Sequence, residues 1–414
     1  MSSKARAANG RSSIYLGADG RWHGRVSLGT ELSSGNAIRR QVTAATKAEV
    51  TRKVRALEEG REQGVATVNA AARQTVRTYL SRWIENRAGL DVRYKTVLGY
   101  RTDAQHIFAA FGGVRLDKLN VDHIETLWRQ MSAVHPNGKT RIGSISHVRR
   151  TLNAALSDAV KRGYLVRNPV SLARAPKHPR TLIEPYSVEE IRLLFAVTAG
   201  IRNGARWTLG AVLGLRQGEA LGLWWDDLDV EAGTLTVARQ LQRRLWEHGC
   251  SEAAPCGRKR GTDCPLSHGG GLVTCEPKSE ASRRTLALPP SVLTDLLAHR
   301  KAQAAERLAS SYWGDSKWMF PNELGHPTDQ SRDYAQWRGL CVQAGIPVRR
   351  LHDLRHTSAT MLLEADIDLK SAGQVLGHGT VAQTAAYTHV LSDRKVATAR
   401  AMDAFVFGVT GIEA

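Results

Sequence analysis

Between residues 76 and 160, apolar side chains recur at intervals of three and four in four successive runs, a period that an α-helix places on one face. Val76, Tyr79, Leu80, Trp83 and Ile84 form the first stripe; Val97, Tyr100, Ala104, Ile107, Phe108 and Phe111 form the second. Val121, Ile124, Leu127, Trp128 and Met131 make the third, entered through Asn120 as a helix cap. Ile145, Val148, Leu152, Leu156 and Val160 make the fourth, closed by Gly163 with Pro169 beyond it. Such stripes have to be buried against one another, so residues 74–175 are expected to form a compact helical bundle. Arg149, Arg150, Lys161 and Arg162 fall on its polar faces.

Ahead of the bundle the period changes. In "SIYLGADGRWHGRVSLGT", Trp22, Gly24, Val26 and Leu28 fall on one side of a strand, and His23, Arg25 and Ser27 on the other. The "ADG" at 18–20 is a turn signal, and "IRRQV" at 38–42 reads as a third strand. Thr46 and Glu49 then make a capping box before a helical stripe of Val50, Val54 and Leu57. Residues 1–68 are thus expected to form a small three-stranded sheet with one helix. "EGREQGVATVNAAA" reads as a linker, and the Pro-rich "APKHPRTLIEP" as a second connector. The remainder, 186–414, opens with a capping box from Ser187 to Glu190. It continues through helices, a strand "GTLTVAR" at 233–239 and a hairpin near 272–288, then helices to the end. The fold class is α+β and multidomain, mainly helical, with small sheets in the first and last segments.

Charge narrows the partner. Lys and Arg number 58 against 39 Asp and Glu, giving +19 and a pI near 10.1, so a polyanion is expected, nucleic acid before membrane. Arg25, Arg39 and Arg40 on the sheet, and Arg149 and Arg150 on the bundle, are the candidate DNA contacts. No stretch approaches the ~20 apolar residues of a spanning helix. The start, "MSSKARAANGRSS", has no apolar signal core, so a cytoplasmic, DNA-associated chain is expected.

The last segment holds polar groups that local structure leaves unexplained. Arg216 ends an apolar run in "GLRQGEALGL", and Lys278 sits in "PKSEASRRTLALP". His352 and Arg355 lie three apart in "LHDLRHTSATMLL", with Leu354, Met361 and Leu362 offered to a core. His378 and Tyr387 follow in "LGHGTVAQTAAYTH". Taken singly, each is a surface charge or a packed aromatic. Taken together, they are the groups that cleave a phosphodiester without metal. Two guanidinium forks can clamp the non-bridging oxygens, where charge grows in the transition state. A tyrosine hydroxyl, with pKa ~10, needs a base or dense positive charge to attack. His352 can take its proton, Lys278 can protonate the leaving oxygen, and His378 can add a hydrogen bond to the phosphate.

This ordered set resembles the tyrosine recombinases, specifically the phage-type integrases. The likeness extends to Glu219, three after Arg216, and to the Ser-x-Arg that follows the lysine. The helical segment resembles the family's core-type DNA-binding domain, and residues 1–68 its arm-type domain. The resemblance implies attack by Tyr387, a 3′-phosphotyrosine link and a free 5′-hydroxyl, with no cofactor for the chemistry. It implies core-type and arm-type sites on double-stranded DNA and a homotetramer in the synapse, integrating or excising a mobile element such as a prophage or integrative plasmid. A directionality factor and a DNA-bending protein are the accessory partners that fit it. A topoisomerase-like nicking and closing enzyme would use the same groups, and a regulatory DNA-binding protein with a dead site is the third reading. In the tail, Val396, Met402, Phe405 and Val406 keep helical spacing, which leaves docking in cis or on a neighbouring protomer open.

One stretch departs from the pattern. Residues 247–275 carry Cys250, Cys256, Cys264 and Cys275, besides His248 and His268. Four thiols are candidate ligands of a structural zinc, although the spacings are longer than those of a short knuckle, and reduced free thiols are the alternative.

Overall fold

The structure is a computed structural model that describes residues 12–30, 37–62, 74–88, 92–133, 141–176, 184–251, 254–277, 282–377 and 380. The chain divides into two compact units, Met1–Arg180 and Thr181–Ala414.

The first unit opens with an antiparallel sheet of β1 (Ser13–Leu16), β2 (Trp22–Thr30) and β3 (Ala37–Ala44), with β2 in the middle. The alternation expected of β2 holds from Gly24 to Ser27, while the Leu28 side chain lies outside the described residues. Val26 is buried with Ala44 beneath α1 (Lys47–Glu62), whose Val50, Val54 and Leu57 complete a small core. Thr46 caps this helix through the Glu49 amide at 3.3 Å, while the Glu49 carboxylate pairs forward with Lys53 at 3.0 Å. The other face is open and polar. There Arg25 stands across from Gln41, Arg39 from Ser27, and Tyr15 stacks on His23 with ring centroids 5.5 Å apart. Arg40, grouped with Arg25 and Arg39 as a candidate DNA contact, lies on the other side of the sheet. It pairs with Val26, and residues opposite one another in an antiparallel ladder project to the same side, here the side carrying α1.

Four helices follow: α2 (Val76–Ala88), α3 (Tyr94–Phe111), α4 (Val121–Ser132) and α5 (Ile142–Lys161). Their stripes meet in one core containing Trp83, Ile107, Leu127, Trp128, Leu152 and Leu156. The Asn120 side chain caps α4 by accepting from the His123 amide at 3.1 Å, and Gly163 follows α5 with φ +71°. The last buried position of α5 is Ala159 rather than Val160, one residue off the stripe read from the sequence. The Tyr79 hydroxyl donates to the Ala155 carbonyl at 2.9 Å, which ties α2 to α5.

The second unit begins with α6 (Val188–Thr198), entered by the expected capping box: the Glu190 amide donates to Ser187 Oγ at 3.1 Å and the Ser187 amide to Glu190 Oε2 at 2.9 Å. Next come α7 (Ala205–Val212) and the short α8 (Gln217–Leu221). The strands are β4 (Leu228–Asp229), β5 (Thr234–Val237), β6 (Gln240–Arg244), β7 (Gly271–Cys275) and β8 (Arg284–Ala287). They form two separate antiparallel sheets, β4-β5-β8 and β6-β7. Among the described residues, the two arms of the hairpin expected near 272–288 do not pair with each other: β7 pairs back with β6, and β8 pairs with β5.

The unit continues with α9 (Pro290–Ala309), α10 (Gln330–Gln343), α11 (Asp353–Glu364) and α12 (Leu369–Leu376). Within α11 the core takes Leu354 and Leu363, while Leu362 is only partly covered. Deeper in, the Arg206 and Asp333 side chains, 2% and 3% exposed, form a forked ion pair at 3.0 and 3.1 Å that binds α7 to α10. Among the described residues, no helix is long and apolar enough to cross a membrane.

Candidate active site

A helix break sets the first arginine. After α7 the backbone turns at Gly214, where φ is +60° and a Cβ would lie 2.5 Å from Leu376 Cδ2, so only glycine fits. The turn delivers Arg216 to the residue just ahead of α8. Its Nη1 donates to Glu219 Oε1 at 2.5 Å, and its Nη2 reaches the Gly377 carbonyl at 3.5 Å. Glu219 Oε2 accepts from the Arg216 amide and from Arg284 Nη2, both at 3.1 Å. Arg284 in turn donates from Nε to the Val375 carbonyl at 2.7 Å. Burial works to raise the Glu219 pKa, but the Arg284 and Arg216 charges outweigh it and hold the carboxyl below the usual range.

Arg355 lies in the first turn of α11 and is 2% exposed, not on a solvated face. Its Nη1 donates to the Gly214 carbonyl at 2.9 Å and its Nη2 to the Leu376 carbonyl. Three carbonyls, of Gly214, Leu376 and Gly377, thus hold both guanidiniums at the C-terminal end of α12, where Gly377 takes a left-handed φ of +66°. Helix carbonyl ends attract cations, and each guanidinium stays charged at any relevant pH.

His352 occupies the residue before α11, its ring edge-on to His356 with centroids 5.0 Å apart. The side chain keeps one side open to solvent. Desolvation of the packed side, then the His356, Arg355 and Arg216 charges, lower its pKa to about 4. At neutral pH it is therefore an uncharged imidazole, able to accept a proton. Asp353, next along the chain, is buried and pairs with the forked Arg350 guanidinium at 2.9 Å.

Of the expected catalytic groups, the structure brings together Arg216, Glu219, His352 and Arg355. Lys278, His378 and Tyr387 lie outside the described residues. Arg284 is the arginine of the Ser-x-Arg that follows the lysine; the sequence marks it as part of the family likeness but gives it no partner, and the structure supplies one in Glu219. Among the candidate DNA contacts, Arg25, Arg39, Arg149 and Arg150 are exposed, and Arg150 Nη2 lies 2.8 Å from His147 Nδ1. The cysteine set needs correction. Cys275 ends β7 and its thiol is 3.7 Å from the Gln240 carbonyl, whereas His248 joins Cys250, Cys256 and Cys264.

Always-charged guanidiniums beside a neutral imidazole, on a strongly basic chain, fit an enzyme of phosphodiester transfer on DNA. Residues 274–394 match the Phage integrase family, an interval that includes positions 278, 352, 355, 378 and 387 but not 216. An integrase of Saccharopolyspora erythraea is 36% identical over 439 residues, spanning 98% of this chain and 99% of its own. A tyrosine recombinase XerC-like protein of Caldanaerobacter subterraneus subsp. tengcongensis is 32% identical over 291 residues, spanning 67% of this chain and 70% of its own. The fold is similar to that of the Tn1549 transposon integrase in complex with a circular intermediate DNA, with a TM-score of 0.58 at 17% identity over 76% of this chain and 94% of that one. It is similar also to a lambda integrase dimer bound to a COC′ core site, with a TM-score of 0.52 at 16% identity over 92% and 96%. The chain belongs to the phage integrase family and is a tyrosine site-specific recombinase.

Proposed function

We propose that this chain cuts and rejoins DNA at specific sites through Tyr387, integrating or excising a mobile element. The observation that carries the residue assignment is the gathering of Arg216 and Arg355 at one helix end, with His352 beside them and Glu219 beneath. Arg216 and Arg355 hold the non-bridging oxygens of the scissile phosphate, and His378 adds a hydrogen bond. The Tyr387 hydroxyl attacks phosphorus and His352 takes its proton. The bond to the 5′-oxygen breaks, and Lys278 protonates that oxygen. The product is a 3′-phosphotyrosine ester and a free 5′-hydroxyl. The ester keeps the phosphodiester bond energy, so a 5′-hydroxyl from a partner strand displaces the tyrosine without ATP. Acid, base and nucleophile all come from side chains, which leaves metal a structural part only, on the Cys-rich stretch.

Residues 1–68, 74–175 and 186–414 are read as arm-binding, core-binding and catalytic domains. Separate hydrophobic cores in the sheet module and the helical bundle support the first division. The partners are double-stranded DNA with core-type and arm-type sites, three further copies in the synapse, a directionality factor and a DNA-bending protein. Lambda integrase has been captured as a tetramer bound to a Holliday junction, in a fold matching this one with a TM-score of 0.50, which supports the tetramer. The deciding experiment uses a nicked duplex carrying the core site, which traps the covalent adduct. The wild-type chain should form it, and Tyr387→Phe should lose it while still binding. An unchanged adduct in that variant would move the nucleophile elsewhere.

A further inference from the structure

The connection between β6 and β7, residues 245–270, has almost no core of its own. Of its described residues, Cys264 alone is buried, while Leu245, Trp246 and Leu266 are exposed. A segment this poor in apolar contact needs another source of order. It nevertheless folds tightly. A Cβ on Gly249 would lie 2.0 Å from the Leu266 carbonyl oxygen, and one on Gly261 would lie 1.9 Å from that of Trp246. Reciprocal backbone hydrogen bonds between Glu247 and His268, at 2.9 and 3.1 Å, close its neck.

At the centre of the fold, four soft ligands converge. The side-chain donor atoms of His248, Cys250, Cys256 and Cys264 all lie within 4.8 Å of one another. His248 Nδ1 is 3.3 Å from Cys256 Sγ and 3.9 Å from Cys250 Sγ. A zinc ion bound at about 2.3 Å to sulfur and about 2.0 Å to nitrogen requires tetrahedral edges of about 3.5 Å between S and N. The sulfurs are also supplied with amide donors. The Arg258 amide faces Cys256 Sγ, and the Leu266, Gly249 and Cys250 amides face Cys264 Sγ. Two of these run from the residue two after the cysteine, so each short turn presents an N–H to its own sulfur. Such donors favour a thiolate over a thiol and orient it, as outer-shell partners of a metal ligand do.

We infer that His248, Cys250, Cys256 and Cys264 form a structural zinc site that folds the β6–β7 connection. On binding, three thiols release protons to solvent, and with a neutral imidazole the site keeps one net negative charge. All four positions are filled by protein, so the metal is structural and not catalytic. The ion would fix the basic run Arg258, Lys259 and Arg260, all exposed, between two of its ligands.

The test uses the full-length, untagged protein purified in reducing buffer without chelator. Elemental analysis should give one zinc per chain, and Co²⁺ exchange should give tetrahedral d–d bands with thiolate charge-transfer absorption. Cys256→Ser and Cys264→Ser should lose the metal, while Cys275→Ser and Cys341→Ser keep it. Because a ligand variant can fail to fold, a mercurial titration of the wild-type chain is the second measurement. Zinc release, followed with a metal indicator, should track the blocking of three thiols. Absence of stoichiometric zinc both as purified and after reconstitution with Zn²⁺ would overturn the site. So would metal retention by Cys264→Ser, or a disulfide among these cysteines in place of the metal.

Discussion

Arg284 and Arg216 share one carboxylate. Each donates to Glu219, Arg284 from Nη2 at 3.1 Å and Arg216 from Nη1 at 2.5 Å, on opposite oxygens of a group that is 3% exposed. Arg284 also holds the Val375 carbonyl, so the carboxylate relays the position of α12 to Arg216, the proposed phosphate clamp. Glu219→Gln keeps the shape but removes the charge. Cleavage of a nicked core site should fall on the order of 10–100-fold, the usual cost of misplacing a reacting group by about an ångström, with DNA affinity little changed. Single-turnover adduct formation measures the first quantity and filter binding the second. Wild-type cleavage by Glu219→Gln would remove the orienting role.

The lowered pKa of His352 has two pH consequences. A folded pKa near 4 against an unfolded value near 6.5 means the unfolded chain takes up this proton first as pH falls. The stability it contributes is therefore present above pH 6.5 and is lost as pH drops toward 4. His352→Asn should flatten that part of the stability profile in urea titrations across the same range. For catalysis, the acid limb of adduct formation should lie below the ordinary imidazole range in the free enzyme. A bound phosphate, being negative, should move it upward.

The Arg206–Asp333 pair is closed off from water and also takes a hydrogen bond from Gln217 Nε2 at 2.9 Å. Asp333→Ala leaves a buried guanidinium unpaired, and chemical denaturation should report a loss of about 3–5 kcal/mol. Replacing both partners with apolar residues of similar volume should recover much of it.

The two faces of the first sheet should behave differently toward DNA. Arg25→Ala and Arg39→Ala, on the open face, should each weaken binding to arm-type DNA and lower the salt slope by about 1 for each phosphate no longer neutralised. Arg40→Ala, on the helix side, should do neither. Equal effects at all three positions would contradict the strand register as the determinant.

Helical parts of the fold were legible because their determinants are local. The stripe from Val76 to Ile84, the Asn120 cap, the Ser187–Glu190 box and Gly163 all act within one or two turns. Strand pairing was not, because an alternating run such as "TLAL" carries its faces but not its partner. Its strand, β8, chose β5 across a long connection, and not the other arm of the expected hairpin. Arg216, His352 and Arg355 were identified by residue type and order, yet the sequence could not say that Arg355 is buried by carbonyls from two other segments. His248 was noted beside the cysteines but not placed in their set for the same reason: its closeness to Cys256 comes from loop closure, not from spacing.

Arg355 carries a double load that Arg216 does not. With 2% exposure and two main-chain carbonyls as partners, it is a rivet between the turn at Gly214 and the end of α12 before any DNA arrives. Removing it would strip buried carbonyls of their donors as well as the proposed phosphate clamp, so fold and activity should fail together. Arg216, 37% exposed, is anchored at the rim by the Glu219 carboxylate, with a longer 3.5 Å reach to the Gly377 carbonyl. A stable chain that still recognises DNA but cannot cut it is to be sought at Arg216; at Arg355, selection for one property is selection for both.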